Sequence, residues 1–137
     1  MAGPVVVDTS ALLAILLEEP DAIQFARALH AAETLRMTAP SWLESAQVAT
    51  GRCGARGFEQ FQELVSRLGV EIIPCDGAMA QTAYEAWLRY GKGRHPAALN
   101  FGDCFFYALA KLRGEPLLFK GDDFSKTDLV GALHRLG

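Results

Sequence analysis

Cysteine and histidine are scarce in this sequence. There are three of each: Cys53, Cys75 and Cys104, and His30, His95 and His134. No C-x-x-C spacing occurs, and no histidine stands at ligand spacing from another histidine or a cysteine. A disulfide scaffold and a zinc knuckle are therefore not expected, and reduced, buried thiols are the default. An excess of basic charge is also missing, since the formal net charge is −3. That excludes holding nucleic acid by global charge alone, though not by a local basic patch or a metal-assisted site. Long apolar runs are absent too. The stretch Ala11–Leu17 is too short to span a membrane. Nothing basic precedes Val5–Val7, so it does not read as a signal peptide, and a cytoplasmic protein with no membrane attachment is expected. No internal repeat, linker or low-complexity stretch is visible. A length of 137 residues, half of them apolar, suits one domain over 1–137 with a sizeable core.

The chain is organised around Val5-Val6-Val7-Asp8-Thr9-Ser10. Three β-branched residues in a row predict a short buried strand. The apolar run that follows predicts a helix, with Asp8 where the strand ends. In open α/β sheets that edge is where sites are built. Asp8 or Ser10 also serves equally well as a simple helix cap.

Further along, Asp21 can cap a second helix whose face is Ala22, Phe25, Ala26 and Leu29. Residues 36–39 predict a strand, and Pro40-Ser41 opens a third helix over about 42–53, with Glu44 in its first turn. Phe58, Phe61, Leu64, Val65 and Leu68 predict a fourth, after a turn marked by Gly54 and Gly57. Residues 70–74 predict a strand ended by Pro74. Asp76 starts a fifth helix that carries Trp87. Gly91-Lys92-Gly93-Arg94-His95-Pro96 is a basic loop. It is not a phosphate-binding P-loop, because Gly-Lys is followed by Gly93. Asn100 caps a sixth helix with Asp103 in its first turn. Residues 117–119 predict a last strand, followed by Lys120-Gly121-Asp122-Asp123. The tail from Thr127 forms a turn of helix or an edge strand. Alternating strands and helices predict an α/β fold with a parallel sheet between helical layers.

Asp8, Glu44, Asp103 and the Asp122-Asp123 pair each fall where a strand ends or a helix begins. If the strands are parallel, these acids converge on one edge. Such convergence is costly in a partly dry site unless something compensates. A hard divalent cation does so, since Mg²⁺ takes one or two carboxylates and several waters. The chemistry that follows is metal-assisted phosphodiester cleavage. Taken singly, each acid also has a plain reading: a cap, a partner of a helix dipole, or a turn residue.

The ordered set Val7-Asp8-Thr9-Ser10-Ala11-Leu12, Glu44 after Pro40-Ser41, Asn100-Phe101-Gly102-Asp103-Cys104 and Phe119-Lys120-Gly121-Asp122-Asp123-Phe124 with Thr127-Asp128 resembles the PIN-domain toxins of the VapC type. The resemblance covers nearly the whole chain. It implies a PIN-like three-layer α/β/α sandwich with a short, mostly parallel sheet. It also implies a Mg²⁺- or Mn²⁺-dependent endoribonuclease, the toxin half of a type II toxin–antitoxin pair, commonly dimeric and inhibited by a VapB-type antitoxin. By position, Asp8, Glu44 and Asp103 match the family's most regular acids, with Asp8 and Asp103 holding the metal. For the fourth acid Asp122 is favoured, since it comes first after the strand and Gly121. Asp123 then supports it or caps the segment at Phe124. Thr9 and Ser10 are expected to hold a carboxylate or a metal-bound water. Lys92, Arg94 and His95 are the candidate RNA-binding residues, unless the loop is only a solvated connection. Trp42, Phe58, Phe61 and Trp87 are candidates for a homodimer face or an antitoxin groove. Two readings compete with the toxin: a PIN-like RNA-processing nuclease without an antitoxin, and a non-enzymatic interaction module.

Overall fold

A computed structural model describes residues 3–129 and 131–132. Strand β1 (Val5–Val7) leads into helix α1 (Thr9–Leu16), then α2 (Ala22–Ala31), β2 (Leu35–Thr38), α3 (Ala39–Leu68), β3 (Glu71–Ile73), α4 (Gly77–Tyr90), α5 (Phe101–Arg113) and β4 (Leu117–Leu118). A 3-10 turn, Phe124–Lys126, follows.

The strands pair in the order β3-β2-β1-β4, all in parallel. Val5 stands opposite Leu35, Val6 opposite Leu117, and Met37 opposite Ile72. The chain steps outward from β1 to β2 and β3, then returns to lay β4 on the other flank of β1. Right-handed crossovers that run in opposite directions lie on opposite faces of a sheet. The result is the α/β/α sandwich that the alternating pattern predicts. β1 is central and covered on both faces, which is why it is a run of valine rather than an alternating strand. Helix α5 packs on β1, β2 and β4, and α4 packs on α5. The carboxyl end of β1 is therefore the point where the sheet's winding reverses, and Asp8 occupies it.

Several local expectations change. The predicted third and fourth helices form one long element, α3, kinked at Gly54, whose φ of 66° and ψ of −159° are not helical. Asp21 precedes α2 but makes no capping bond; its carboxylate accepts from Lys120 Nζ at 3.1 Å instead. Phe61 is buried, and the Trp42 ring packs 6.2 Å from Phe58 and 5.9 Å from Phe61. Phe61 is internal packing, whereas Trp42 and Phe58 are half-buried and border an open groove with the exposed Leu43. The larger exposed apolar surface lies between α4 and α5, where Tyr84, Trp87, Phe101 and Phe105 line a groove of about 420 Å³. A bridge joins Gly131 to Leu117, and most of the predicted tail element falls outside the described residues. Among the described residues no helix is long and apolar enough to cross a membrane.

Candidate active site

Asp8 leaves β1 in extended conformation and caps α1: its Oδ2 accepts from the Ser10 backbone N–H at 3.0 Å and from the Ser10 hydroxyl. The same Ser10 Oγ accepts from the Lys120 backbone N–H at 2.8 Å. Ser10 thus fixes the Asp8 carboxylate and ties it to the segment after β4. Thr9 does a different job. Its hydroxyl pairs with Ser45 Oγ at 2.6 Å in the interior, which joins α1 to α3 one residue beyond Glu44.

Asp103 enters from the first turn of α5. It forms a capping box with Asn100: Asn100 N–H donates to Asp103 Oδ2 at 3.0 Å, and Asp103 N–H donates to Asn100 Oδ1 at 2.9 Å. Cap and site acid are therefore not alternatives for Asp8 and Asp103; each is a cap whose second carboxylate oxygen faces elsewhere. Glu44 reaches the same place from α3, whose start is capped by Thr38 Oγ1. The Glu44 carboxylate lies directly on the backbone of Gly102. A Cβ built on Gly102 would stand 1.5 Å from Glu44 Oε2. Gly102 is thus a site residue that the pattern of acids does not reveal. Its signal is a lone glycine inside a helical stretch, which often marks a close approach.

The Asp122-Asp123 pair is split by its turn. Gly121 has a φ of 99°, so the chain leaves the extended line before either acid. Asp122 is well exposed and faces Lys126 at 3.6 Å. Asp123 makes no cap bond with the turn it precedes, and its charge is the one felt at Asp103. Asp8, Glu44 and Asp103 feel one another's charge, and Asp123, exposed like Asp122, adds its charge at Asp103.

The electrostatics follow from this grouping. Burial pushes the Asp8 carboxyl up to about 7; the two Ser10 bonds pull it down, and the charges of Asp103 and Glu44 push it further up. Burial, then the Asp103 charge, raises Glu44. Burial also raises Asp103, opposed by the Asn100 N–H and helped by Asp123. Among the described residues, no lysine or arginine forms an ion pair with any of these four acids. Nor do three such side chains stand close enough to enclose an ion unaided. Hard oxygen donors, partly dry and uncompensated, fit a cation that keeps water in its shell, as Mg²⁺ does. They do not suit a closed, soft-ligand site.

Comparison with known proteins gives the family. The PIN domain family model matches residues 5–130. The chain belongs to the PIN domain family. Within it, the chain is 46% identical over 125 residues to ribonuclease VapC30 of Mycobacterium tuberculosis, covering 91% of this chain and 95% of that one. In fold it is similar to the crystal structure of M. tuberculosis VapC20, a sarcin–ricin loop cleaving toxin, with a TM-score of 0.75, 19% identity, and 92% and 96% of the two chains covered. It is also similar to a structure of DNA-bound VapBC from Salmonella typhimurium, with a TM-score of 0.72, 15% identity and 96% of each chain covered.

In this PIN domain the basic loop is more committed than its composition implies. Arg94 Nε donates to the Leu88 carbonyl at 3.0 Å, and its guanidinium lies 5.0 Å from the centre of the Trp87 ring. His95 Nδ1 accepts from Ala97 N–H, and its ring stands perpendicular to that of Tyr90, with centres 5.0 Å apart. Lys92 is exposed, and its ammonium has no ion-pair partner among the described residues. A bridge between Gly91 and Leu99 closes the loop at its base, beside Asn100.

Proposed function

We propose that this chain is a divalent-metal-dependent endoribonuclease, the toxin of a VapBC-type pair, acting in the cytoplasm. The observation that carries this is the meeting of Asp8, Glu44 and Asp103 from three separate elements, partly dry and with no basic side chain between them. Asp8 and Asp103 would hold Mg²⁺ or Mn²⁺ through the carboxylate oxygens not spent on capping. When bound, the ion supplies charge stabilisation at the phosphoryl group and a more acidic water. Glu44, seated on Gly102, orients the attacking water and takes its proton on a carboxylate oxygen. Asp123 takes the place of the fourth acid that Asp122 was expected to fill. Ser10 keeps Asp8 aimed, and Thr9 braces α1 against α3.

RNA is the substrate this reading favours, because the similar VapC proteins are named ribonucleases and a metal-loaded acid cluster can cut a phosphodiester. Lys92 is the freest cation near the site for its backbone. A VapB-type antitoxin is the partner suggested by the similarity to VapBC, and a homodimer would shelter the apolar groove between α4 and α5. The test is cleavage of total RNA with Mg²⁺, with Mn²⁺ and with EDTA, followed by sequencing of the new 5′ ends. Cleavage at defined sites that EDTA abolishes and Asp103→Asn removes supports the reading. Cleavage that persists in EDTA, or in Asp103→Asn, overturns it.

A further inference from the structure

We infer that Lys120 is a positioning residue, clamping the segment after β4 against α1 and the α1–α2 connection so that Asp123 stands among the other acids. This role presupposes the metal-holding reading given above. Lys120 is held at both ends. Its backbone N–H donates to Ser10 Oγ at 2.8 Å. Its ammonium stands 3.1 Å from Glu19 Oε1 and 3.1 Å from Asp21 Oδ1. The next residue is Gly121, where the chain turns, and Asp123 follows two residues later. The other end of the segment is anchored by Phe124, buried and packed edge-on to Phe119 at 5.4 Å. Between those anchors only the turn remains, so Lys120 decides its placement. The Asp21 carboxylate, which leaves α2 uncapped, is explained by the same clamp.

Electrostatics alone predicts the opposite behaviour. Taking a positive charge from the chain makes it more attractive to a divalent cation, so on charge alone the loss of Lys120 should tighten metal binding. A clamp predicts that removal loosens binding, because a carboxylate moves off its mark. The sign of the effect therefore separates the two.

The experiment measures Mn²⁺ affinity by calorimetry, and the Mn²⁺-dependent rise in melting temperature, for the full chain. The variants are K120M, K120R, E19Q/D21N, D123N and K120M/D123N. Expected is roughly tenfold weaker Mn²⁺ binding in K120M, the size seen when partners of metal-holding side chains are removed. K120R keeps both carboxylates engaged and stays near wild type. E19Q/D21N weakens binding in the same direction. K120M adds little in the D123N background, because both act through one carboxylate. Tighter or unchanged binding in K120M, or effects that add in K120M/D123N, overturns the clamp. If K120M does not fold, E19Q/D21N carries the test with and without D123N: lost charge weakens binding in both backgrounds, a lost clamp only where Asp123 is present, and unchanged affinity in E19Q/D21N or equal weakening in both backgrounds overturns the clamp. A wild-type chain that binds no Mn²⁺ overturns the metal site and the clamp together, whereas wild-type binding with K120M unaltered overturns the clamp alone.

Discussion

Asp8 is buried and Asp128 is exposed, and they end in opposite states. Burial works against the Asp128 carboxylate, but Lys111 at 2.6 Å, the Tyr107 hydroxyl at 2.6 Å and the more distant Arg89 outweigh it and hold it below the usual range. Asp8 has only Ser10 to help it and two acids to hinder it, and it is pushed up to about 7. The amino end of the sheet behaves like Asp128. There Arg36 on β2 pairs with Glu71 at 3.2 Å and with Glu115 beside β4. The molecule thus supplies cations to its acids in two places and withholds them in a third. Repulsion tolerated at one edge and neutralised elsewhere is what the proposed metal site requires.

The sharpest way to break this contrast is to remove the withheld charge. Asp103→Asn and Asp8→Asn should each lower RNA cleavage by about a hundredfold or more, as expected when an acid needed in the transition state is lost. Both should also lose the metal-dependent rise in melting temperature. Wild-type cleavage rates in Asp103→Asn would dissolve the distinction between the two regions.

At the compensated edge the loss should appear in stability instead. Arg36→Met leaves Glu115 nearly enclosed without its partner, and Glu115 Oε2 is already a buried oxygen with no hydrogen bond. Unfolding free energy should fall by about 3 kcal/mol. Urea denaturation measures it, and a loss below about 1 kcal/mol would show that the pair is no more than a surface contact.

The pH dependence should run in opposite directions for the two aspartates. Asp8 has a native pKa near 7 against an ordinary 3.8, so between those values the folded state holds the extra proton. Its contribution is complete below pH 3.8 and is lost as pH rises through 7. Metal-free protein should therefore lose on the order of 4 kcal/mol across that window, and Asp8→Asn should flatten the curve. Asp128 is depressed, so its contribution is present above 3.8 and disappears as pH falls through its lower native value. Asp128→Asn should destabilise at pH 7, whereas Asp8→Asn should stabilise the metal-free protein. Melting curves of both variants from pH 4 to 8 decide this. Metal affinity should climb over the same range as Asp8 loses its proton.

Smaller effects test the seat of Glu44 and the rim. Gly102→Ala places a methyl where the Glu44 carboxylate lies. The carboxylate is the end of a flexible side chain and can swing away, and alanine suits a helix better than glycine. Turnover should fall about tenfold while the melting temperature stays level or rises; unchanged turnover would remove Gly102 from the site. Lys92→Ala should weaken RNA binding roughly threefold at low salt and reduce the salt slope by about 0.7, one phosphate's share on a single strand. Identical salt titrations would make the loop a connector only.

Much of this was legible in the residues. Val5–Val7 ending in Asp8, and Asn100 three residues before Asp103, announce a strand end and a helix start, and a parallel sheet brings such points to one edge. The rest depended on geometry that no period encodes. Order after the strand favours Asp122, and no period in the sequence encodes that the charge felt at Asp103 is that of Asp123. Thr9 and Ser10 look equivalent in sequence, but the first turn of a helix sends them different ways, one to Ser45 and the other to Asp8. Gly102 matters only because a side chain 58 positions earlier rests on it, and Arg94 counts for less than its charge because Leu88 and Trp87 occupy it.

The capping box at Asn100 and Asp103 bears on how inactive forms of the chain can arise. A mutation that silences the acid also touches the start of α5. Replacement by alanine removes the acceptor for Asn100 N–H along with the charge, at a cost of about 1 kcal/mol to the helix. Replacement by asparagine keeps an oxygen in that place and silences the site without loosening the fold. Survivors of a genetic selection against the chain's activity would fall into two classes at this codon. One would be less stable and less abundant; the other would be intact, abundant and still able to occupy whatever binds the native protein, a dominant decoy separated from the active form by a single atom exchange.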